Sequence, residues 1–146
     1  MPGPASTRSP RDVFEDMLHL ILERRFDAYA DLFTDDAVFE LPFAPPGVPR
    51  RIEGREEIRA FLRAGTERVA TAARRWDFRS VVVHETTDPE VIVTEFSVHG
   101  EVTATGRPYQ FSNLQVMTVR DGEIAALRDY WNPLDRPELA ALTGRD

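Results

Sequence analysis

The spacing of apolar residues changes once along the chain, from a helical repeat to a strand repeat. In the first half, apolar residues recur at intervals of three and four, as in amphipathic helices. Ser9 and Pro10 form a helix start, which predicts a first helix to about Arg24. A shorter helix over residues 27–33 and a third over 55–73 follow. Between them, residues 35–43 read as a short strand, and the Pro- and Gly-rich residues 44–54 read as a loop.

In the second half, apolar and polar residues alternate, which indicates strands. The predicted strands cover residues 76–85, 91–102, 108–119 and 123–134, and short turns rich in Gly, Pro and Asp join them. Four strands joined in this way form an antiparallel meander. Helices followed by strands predict an α+β fold with the helices packed on one sheet face. We expect one domain over residues 10–140, flanked by tails at 1–9 and 141–146.

Both faces of the predicted sheet carry apolar side chains. On the strand 91–102, Ile92, Thr94, Phe96 and Val98 share one face, while Val91, Val93, Glu95, Ser97 and His99 share the other. An antiparallel sheet that is covered on one side only usually has a polar outer face. We therefore expect the outer face to contact a second copy of the chain in a homodimer.

Composition and charge exclude several classes of function. The chain has 146 residues, a net charge of -7 and no cysteine, which makes nucleic acid and anionic membranes unfavourable partners and removes thiol chemistry. No apolar stretch resembles a signal peptide or a membrane span, so a cytoplasmic location is expected. The three histidines are not at metal-ligand spacing, and phosphate-loop and nucleophile-elbow motifs are missing. No metal and no cofactor are expected.

One acidic residue in the last strand lies on an apolar face. Asp129 shares its face with Leu127 and Trp131, and a carboxylate is costly to bury among such neighbours. Either it forms a structural ion pair with an arginine, or it has a function. On the preceding strand, Asn113 and Gln115 share a face with the apolar residues Phe111 and Met117. A mostly apolar wall with a few polar groups is typical of a ligand pocket.

The order of these elements, with the segments "LFTDDAVFELP", "IEGREEI", "HETTDP" and "GEIAALRDYWNP", resembles the SnoaL-like proteins of the nuclear transport factor 2-like superfamily. The resemblance covers about residues 10–140 and is strongest to the phenazine biosynthesis A/B branch. Ketosteroid isomerase and limonene epoxide hydrolase are more distant members. The resemblance implies a cone-shaped barrel, in which a curved, mainly antiparallel sheet wraps around three N-terminal helices and a deep pocket, usually in a dimer.

The resemblance also assigns roles to individual residues. Asp129 matches the catalytic carboxylate of the epoxide hydrolase pattern and the acidic residue of the phenazine pattern, and Trp131 matches a pocket tryptophan of the isomerase pattern. The isomerase base, however, would fall at Leu41, and its two oxyanion-binding groups near Met17 and Gln115. The arginine and second aspartate of the hydrolase would fall at Phe96 and Val98, and its water-positioning pair at Phe39 and Leu41. These departures argue against steroid isomerisation and against that epoxide hydrolysis.

Together these observations predict a pocket in which Asp129 is the catalytic acid or base, with a pKa that desolvation raises toward neutrality. Asn113 and Gln115 would orient a carbonyl oxygen. The expected substrate-binding residues are Phe39, Leu41, Phe96, Val98, Phe111, Asn113, Gln115, Met117 and Trp131. The expected function is a cofactor-independent cyclase, isomerase or lyase (dehydratase) that acts on an apolar, polyketide-like carbonyl compound in secondary-metabolite biosynthesis. The alternative is a non-catalytic binding or accessory protein for an apolar small molecule.

Overall fold

The computed structural model describes residues 8–133, with the side chains of residues 66, 68–70 and 75 left out. Most of the predicted N-terminal tail, the end of the predicted domain and the C-terminal tail 141–146 lie outside the described residues. The described residues form three helices, α1 (Pro10–Leu22), α2 (Phe26–Ala30) and α3 (Arg55–Ala72). The six strands are β1 (Phe33–Glu40), β2 (Arg51–Glu53), β3 (Ala73–Glu85), β4 (Val91–Val102), β5 (Pro108–Arg120) and β6 (Glu123–Trp131).

Both ends of α1 follow from its sequence. The Ser9 hydroxyl accepts a hydrogen bond from the Asp12 backbone N–H at 3.1 Å, and the Asp12 carboxylate accepts one from the Ser9 N–H at 3.2 Å. This capping box confirms the predicted start. The helix ends at Leu22, two residues before the predicted end. Arg24 adopts a left-handed φ of 58°, and a residue in this conformation stops a helix.

The predicted meander is confirmed, because β3, β4, β5 and β6 pair consecutively and antiparallel. The β5–β6 turn is set by Asp121 and Gly122, which have φ values of 53° and 80°. Two consecutive residues with positive φ are what a type I′ hairpin turn requires. β4 has the predicted bounds, whereas β3 begins three residues early at Ala73, and β6 ends at Trp131 instead of residue 134.

The prediction of a continuous loop over residues 44–54 was wrong at its end. β2 pairs antiparallel with β1, and Ile52 lies opposite Phe39. A three-residue strand is too short to show alternation, so the pattern could not indicate it. α2 ends at Ala30, earlier than predicted, because Phe33 already begins β1.

The strands form one sheet in the order β2-β1-β6-β5-β4-β3, in which only the β1–β6 pair is parallel. The sheet is curved and does not close within the described residues, so the expected barrel is an open one. The helices cover one face, here called the inner face, and Phe14 of α1 contacts Phe96 of β4 with ring centroids 5.8 Å apart. The α+β class and the nuclear transport factor 2-like architecture are confirmed.

Candidate active site on the inner sheet face

The last strand leaves the core near its C-terminal end. Leu127 is completely buried, while Asp129 and Trp131 are half-buried on the same face. Strand pairing places Gln115 of β5 directly opposite Asp129, and Asn113 directly opposite Trp131. Side chains opposite each other in an antiparallel pair are about 5 Å apart at their Cβ atoms. The fold therefore groups the carboxylate with both amides that the sequence analysis selected.

Asn113 and Asp129 contact each other directly. The Asn113 Nδ2 donates a hydrogen bond of 2.8 Å to Asp129 Oδ1. The contact fixes the orientation of the amide, because only its amino group can donate to a carboxylate oxygen. Asn113 Oδ1 is buried and has no hydrogen-bond partner among the described residues. Besides the carbonyl-orienting role expected from the sequence, Asn113 therefore offers a buried acceptor, its Oδ1, which faces no donor among the described residues.

A polar row continues from Asp129 across the sheet. Thr94 of β4 lies opposite Gln115, which lies opposite Asp129. Thr94 is 0% exposed and Gln115 is 4% exposed, yet Thr94 Oγ1 and Gln115 Oε1 have no partner in the described part of the chain. Buried polar atoms are nearly always hydrogen-bonded in folded proteins. Several such atoms beside one carboxylate indicate a place for a ligand or for ordered water.

Apolar side chains surround this row. All of the predicted wall residues pack in the same core cluster: Phe39, Leu41, Phe96, Val98 and Met117 are buried, and Phe111 and Trp131 are partly buried against them. The structure thus brings the complete predicted set onto the inner face or its edge. That these residues contact a substrate, and that a deep pocket opens among them, remain predictions.

Sequence reasoning missed Tyr29, which approaches the row from α2. Tyr29 is 4% exposed and belongs to the same core cluster. Burial raises the pKa of its phenol far above the ordinary value, and the negative charge of Asp129 raises the pKa further. The phenol therefore stays protonated at any physiological pH. A tyrosine in a short helical segment has no sequence signal that would connect it with a carboxylate 100 positions later.

The outer face of the sheet carries a groove of about 1030 Å³. Its central residues are apolar, with Val93, Leu114 and Val116 on neighbouring strands. Polar groups accompany them: the His84 Nε2 lies 2.6 Å from Glu95 Oε2, and the His99 Nε2 lies 2.9 Å from Ser97 Oγ. The groove has the full lining Phe43, Ser80, Val93, Glu95, Phe96, Ser97, His99, Gln110, Ser112, Asn113, Leu114, Val116, Tyr130, Trp131 and Asn132.

Within the described residues, no group of three or more His, Asp or Glu side chains is arranged to hold a metal ion. The same residues include no helix that is both long and apolar enough to cross a membrane.

Comparison with known proteins agrees with the fold. The family model of the SnoaL-like domain matches residues 14–127. The chain belongs to the SnoaL-like family. A PhzA/B-like protein of Pseudomonas aeruginosa is 35% identical over 134 residues, which covers 92% of this chain and 90% of the relative. The protein YesE of Bacillus subtilis is 36% identical over 114 residues, or 78% of this chain and 75% of YesE.

Solved structures of other proteins share the SnoaL-like architecture. A crystal structure of a Bacillus subtilis protein superimposes with a TM-score of 0.79 at 32% identity, and covers 90% of this chain and 91% of the other. Because this alignment covers 90% of the chain, the SnoaL-like chain shares its overall fold with that protein. The family expected from the sequence is confirmed, including the likeness to the PhzA/B branch.

Proposed function

We propose that this SnoaL-like chain is a cofactor-independent enzyme that moves a proton next to the carbonyl group of an apolar, polyketide-like substrate. Asp129 is the general base that takes the proton and the acid that returns it. Proton removal α to a carbonyl is the common first step of aldol cyclisation, double-bond isomerisation and dehydration. The apolar wall would fold a flexible substrate into reactive geometry, which supplies a large part of a rate by itself.

The polar row around Asp129 carries this proposal. A structural carboxylate would be expected among groups that satisfy one another, whereas the neighbours Asn113, Gln115 and Thr94 each keep a buried oxygen without a partner in the described residues. Polar groups in an apolar surrounding cost free energy when they are unsatisfied. Evolution of a fold for stability alone would remove them, while a substrate-binding site needs them.

Proteins of similar fold support the choice of ligand class. The enzyme SalBIII, described as epoxide hydrolase/cyclase-like, takes part in pyran ring formation in the polyether salinomycin, and superimposes with a TM-score of 0.65 at 16% identity. The Mycobacterium tuberculosis protein RV0760c has been crystallised with estradiol-17β-hemisuccinate, and superimposes with a TM-score of 0.69 at 21% identity. The polyether and the steroid derivative are both large and mostly apolar, which is the class of compound that we propose for the inner face of this chain.

The direct test does not need the natural substrate. We expect the protein to accelerate the exchange of the α-protons of 2-tetralone for deuterium in D₂O, followed by proton NMR. 2-Tetralone is a flat apolar ketone with acidic α-protons, so exchange reports the proposed proton transfer alone. If the wild-type protein exchanges the α-protons no faster than an equal concentration of the Asp129→Asn variant does, the proposed catalysis is contradicted. Binding without exchange would favour the accessory-protein alternative, because the family base position is occupied by Leu41.

Trp131 provides a separate test of binding near the end of β6, where the edge of the row meets the outer groove. The side chain is half-buried beside Asn113 at the edge of the row, so an inner-face ligand should change its fluorescence. The second tryptophan, Trp76, lies under Arg24 and packs with Tyr109 and Phe111, away from the Asn113–Asp129 contact. We expect titration with 2-tetralone to change the emission of the Trp76→Phe variant and to leave that of the Trp131→Phe variant nearly constant. The reverse pattern would show that Trp131 does not contact the ligand.

We also propose that the outer groove is the contact between two copies of the chain. An apolar centre with a polar rim is the usual anatomy of a protein interface, and a two-fold contact uses the same patch twice. The central residue Leu114 is 37% exposed in the single chain, so a homodimer would cover it.

Light scattering checks this proposal. Wild type should have about twice the chain mass of 16.6 kDa at micromolar concentration, and Leu114→Arg should shift it to the single mass. Leu22→Arg, at an apolar position on α1 that is 42% exposed, is the control and should stay dimeric. A monomeric wild type would refute the dimer.

A further inference from the structure

Three buried oxygens beside Asp129 have no hydrogen-bond partner among the described residues. They comprise Asn113 Oδ1, Gln115 Oε1 and Thr94 Oγ1, and they lie beside the carboxylate of Asp129. Carbonyl oxygens of amides and ionised carboxylates only accept hydrogen bonds, while a hydroxyl can do both. The Asn113 amide cannot simply be turned over, because its amino group donates to Asp129. Among the described residues, these three oxygens therefore need hydrogen-bond donors from a ligand or from water.

A bare ketone does not satisfy such a site. A ketone oxygen brings two more lone pairs and no proton, so it leaves the buried acceptors unsatisfied. A hydroxyl group brings one donor at little desolvation cost. An ammonium group also donates, but carries a full charge into a wall of Phe, Leu and Met side chains, where charge is costly. A hydroxyl on an otherwise apolar molecule is the best match to the row.

We infer that the site selects apolar ligands by a hydroxyl group that donates to the unpartnered oxygens of Thr94, Gln115 or Asn113. This inference rests on the proposed function, and it names the species that the site holds best. When Asp129 removes an α-proton from the ketone, the C–H electron pair forms the carbon–carbon double bond and the C=O π pair moves onto the oxygen. The oxygen then takes up the proton that Asp129 carries, which gives the neutral enol and restores the carboxylate. The resulting neutral enol carries the hydroxyl donor that the row can accept.

Three probes of one shape test the inference. 2-Naphthol is the aromatic counterpart of the enol of 2-tetralone, 2-methoxynaphthalene keeps the ring and the oxygen but has no donor, and protonated 2-aminotetralin offers a charged donor. Because one hydrogen bond contributes about 1 kcal/mol net, we expect calorimetry to show that 2-naphthol binds about fivefold more tightly than its methyl ether. Equal or tighter binding of the ether or the amine would overturn the inference.

Three variants test which residues cause the preference for 2-naphthol over its methyl ether. Thr94→Val and Gln115→Met keep side-chain size and remove an acceptor, and each should reduce the preference several-fold. Ser112→Ala removes an exposed hydroxyl from the outer face of the same strand as Gln115 and should preserve it. Thr94→Val should also melt no lower than wild type, since it removes a buried hydroxyl without a partner. A preference that persists in both inner-face variants would place the hydroxyl elsewhere and overturn the inference.

The binding and exchange experiments distinguish a failure of the hydroxyl selectivity from a failure of the proposed function. If 2-naphthol shows no preference over its ether but 2-tetralone still exchanges in an Asp129-dependent manner, the acid/base proposal stands and the hydroxyl selectivity is wrong. If none of the naphthalene compounds binds, both the selectivity and the inner-face site are wrong.

Discussion

Asp129→Asn should slow the protein-catalysed exchange of 2-tetralone by about 100- to 10,000-fold, the range that a positioned general acid or base contributes. The substitution keeps the size and shape of the side chain but removes its capacity to carry a proton. Binding of 2-tetralone should change by less than about tenfold, because the apolar wall supplies most of the contact. An equal loss in binding and in exchange would show that the carboxylate binds and does not catalyse.

Stability separates this role from a purely structural one. The Asn113 amino group, which donates to Asp129 Oδ1 at 2.8 Å, can donate equally to the oxygen of an introduced asparagine. The free energy of unfolding should therefore change by about 1 kcal/mol or less. A buried ion pair that loses one partner instead costs about 3–5 kcal/mol. A loss of that size would support the ion-pair alternative for Asp129 and contradict the catalytic assignment.

The matched control for this experiment lies on the same strand. Glu123 is exposed at the first position of β6, far along the strand from the row. Glu123→Gln removes one negative charge, as Asp129→Asn does, so it accounts for any effect of net charge. Exchange by Glu123→Gln should equal that of wild type within about twofold, in line with the small effects of surface substitutions.

Leu127→Ala should destabilise the fold by about 2–5 kcal/mol, the largest stability effect that we expect from a single substitution near the site. Leu127 is 0% exposed and lies opposite both Met117 on β5 and Phe39 on β1. Truncation would leave a cavity at the junction of three strands. Since whole domains are stable by only about 5–15 kcal/mol, urea unfolding should show a clearly lower midpoint.

The control for Leu127 is a leucine outside the core. Leu22, at the end of α1, is 42% exposed, and Leu22→Ala should change the free energy of unfolding by about 0.5 kcal/mol or less. Similar losses from both substitutions would contradict the assignment of the helix-covered face as the core.

The parts of the fold that sequence predicts best are those that depend on neighbouring residues. The strands β3 to β6 follow from alternation and from turn signals such as Asp121–Gly122, and the α1 cap follows from Ser9 and Asp12. The parallel pairing of β1 with β6 was not predicted, because it joins Phe39 to Leu127 across most of the chain. No local pattern encodes which distant strand will be the neighbour.

For the candidate site, too, sequence predicts the local features and misses those that depend on tertiary structure. Strand parity was enough to place Asp129, Asn113 and Gln115 on one face, because side chains alternate regularly along a strand. Parity did not show that Asn113 donates to Asp129, or that Thr94 lies opposite Gln115. Tyr29 was missed because its position depends on how α2 packs on the sheet, which is a property of the tertiary structure alone.

The most direct test of the account is the crystal structure of the protein with bound 2-naphthol. Two places compete for the ligand: the inner face around Asp129 and the outer groove of about 1030 Å³. We predict that the ring lies against the inner-face wall near Phe96 and Met117, with its hydroxyl oxygen about 3 Å from Gln115 Oε1 or Thr94 Oγ1. A ligand that occupies only the outer groove, with Asp129 and Gln115 untouched, would contradict the proposed site.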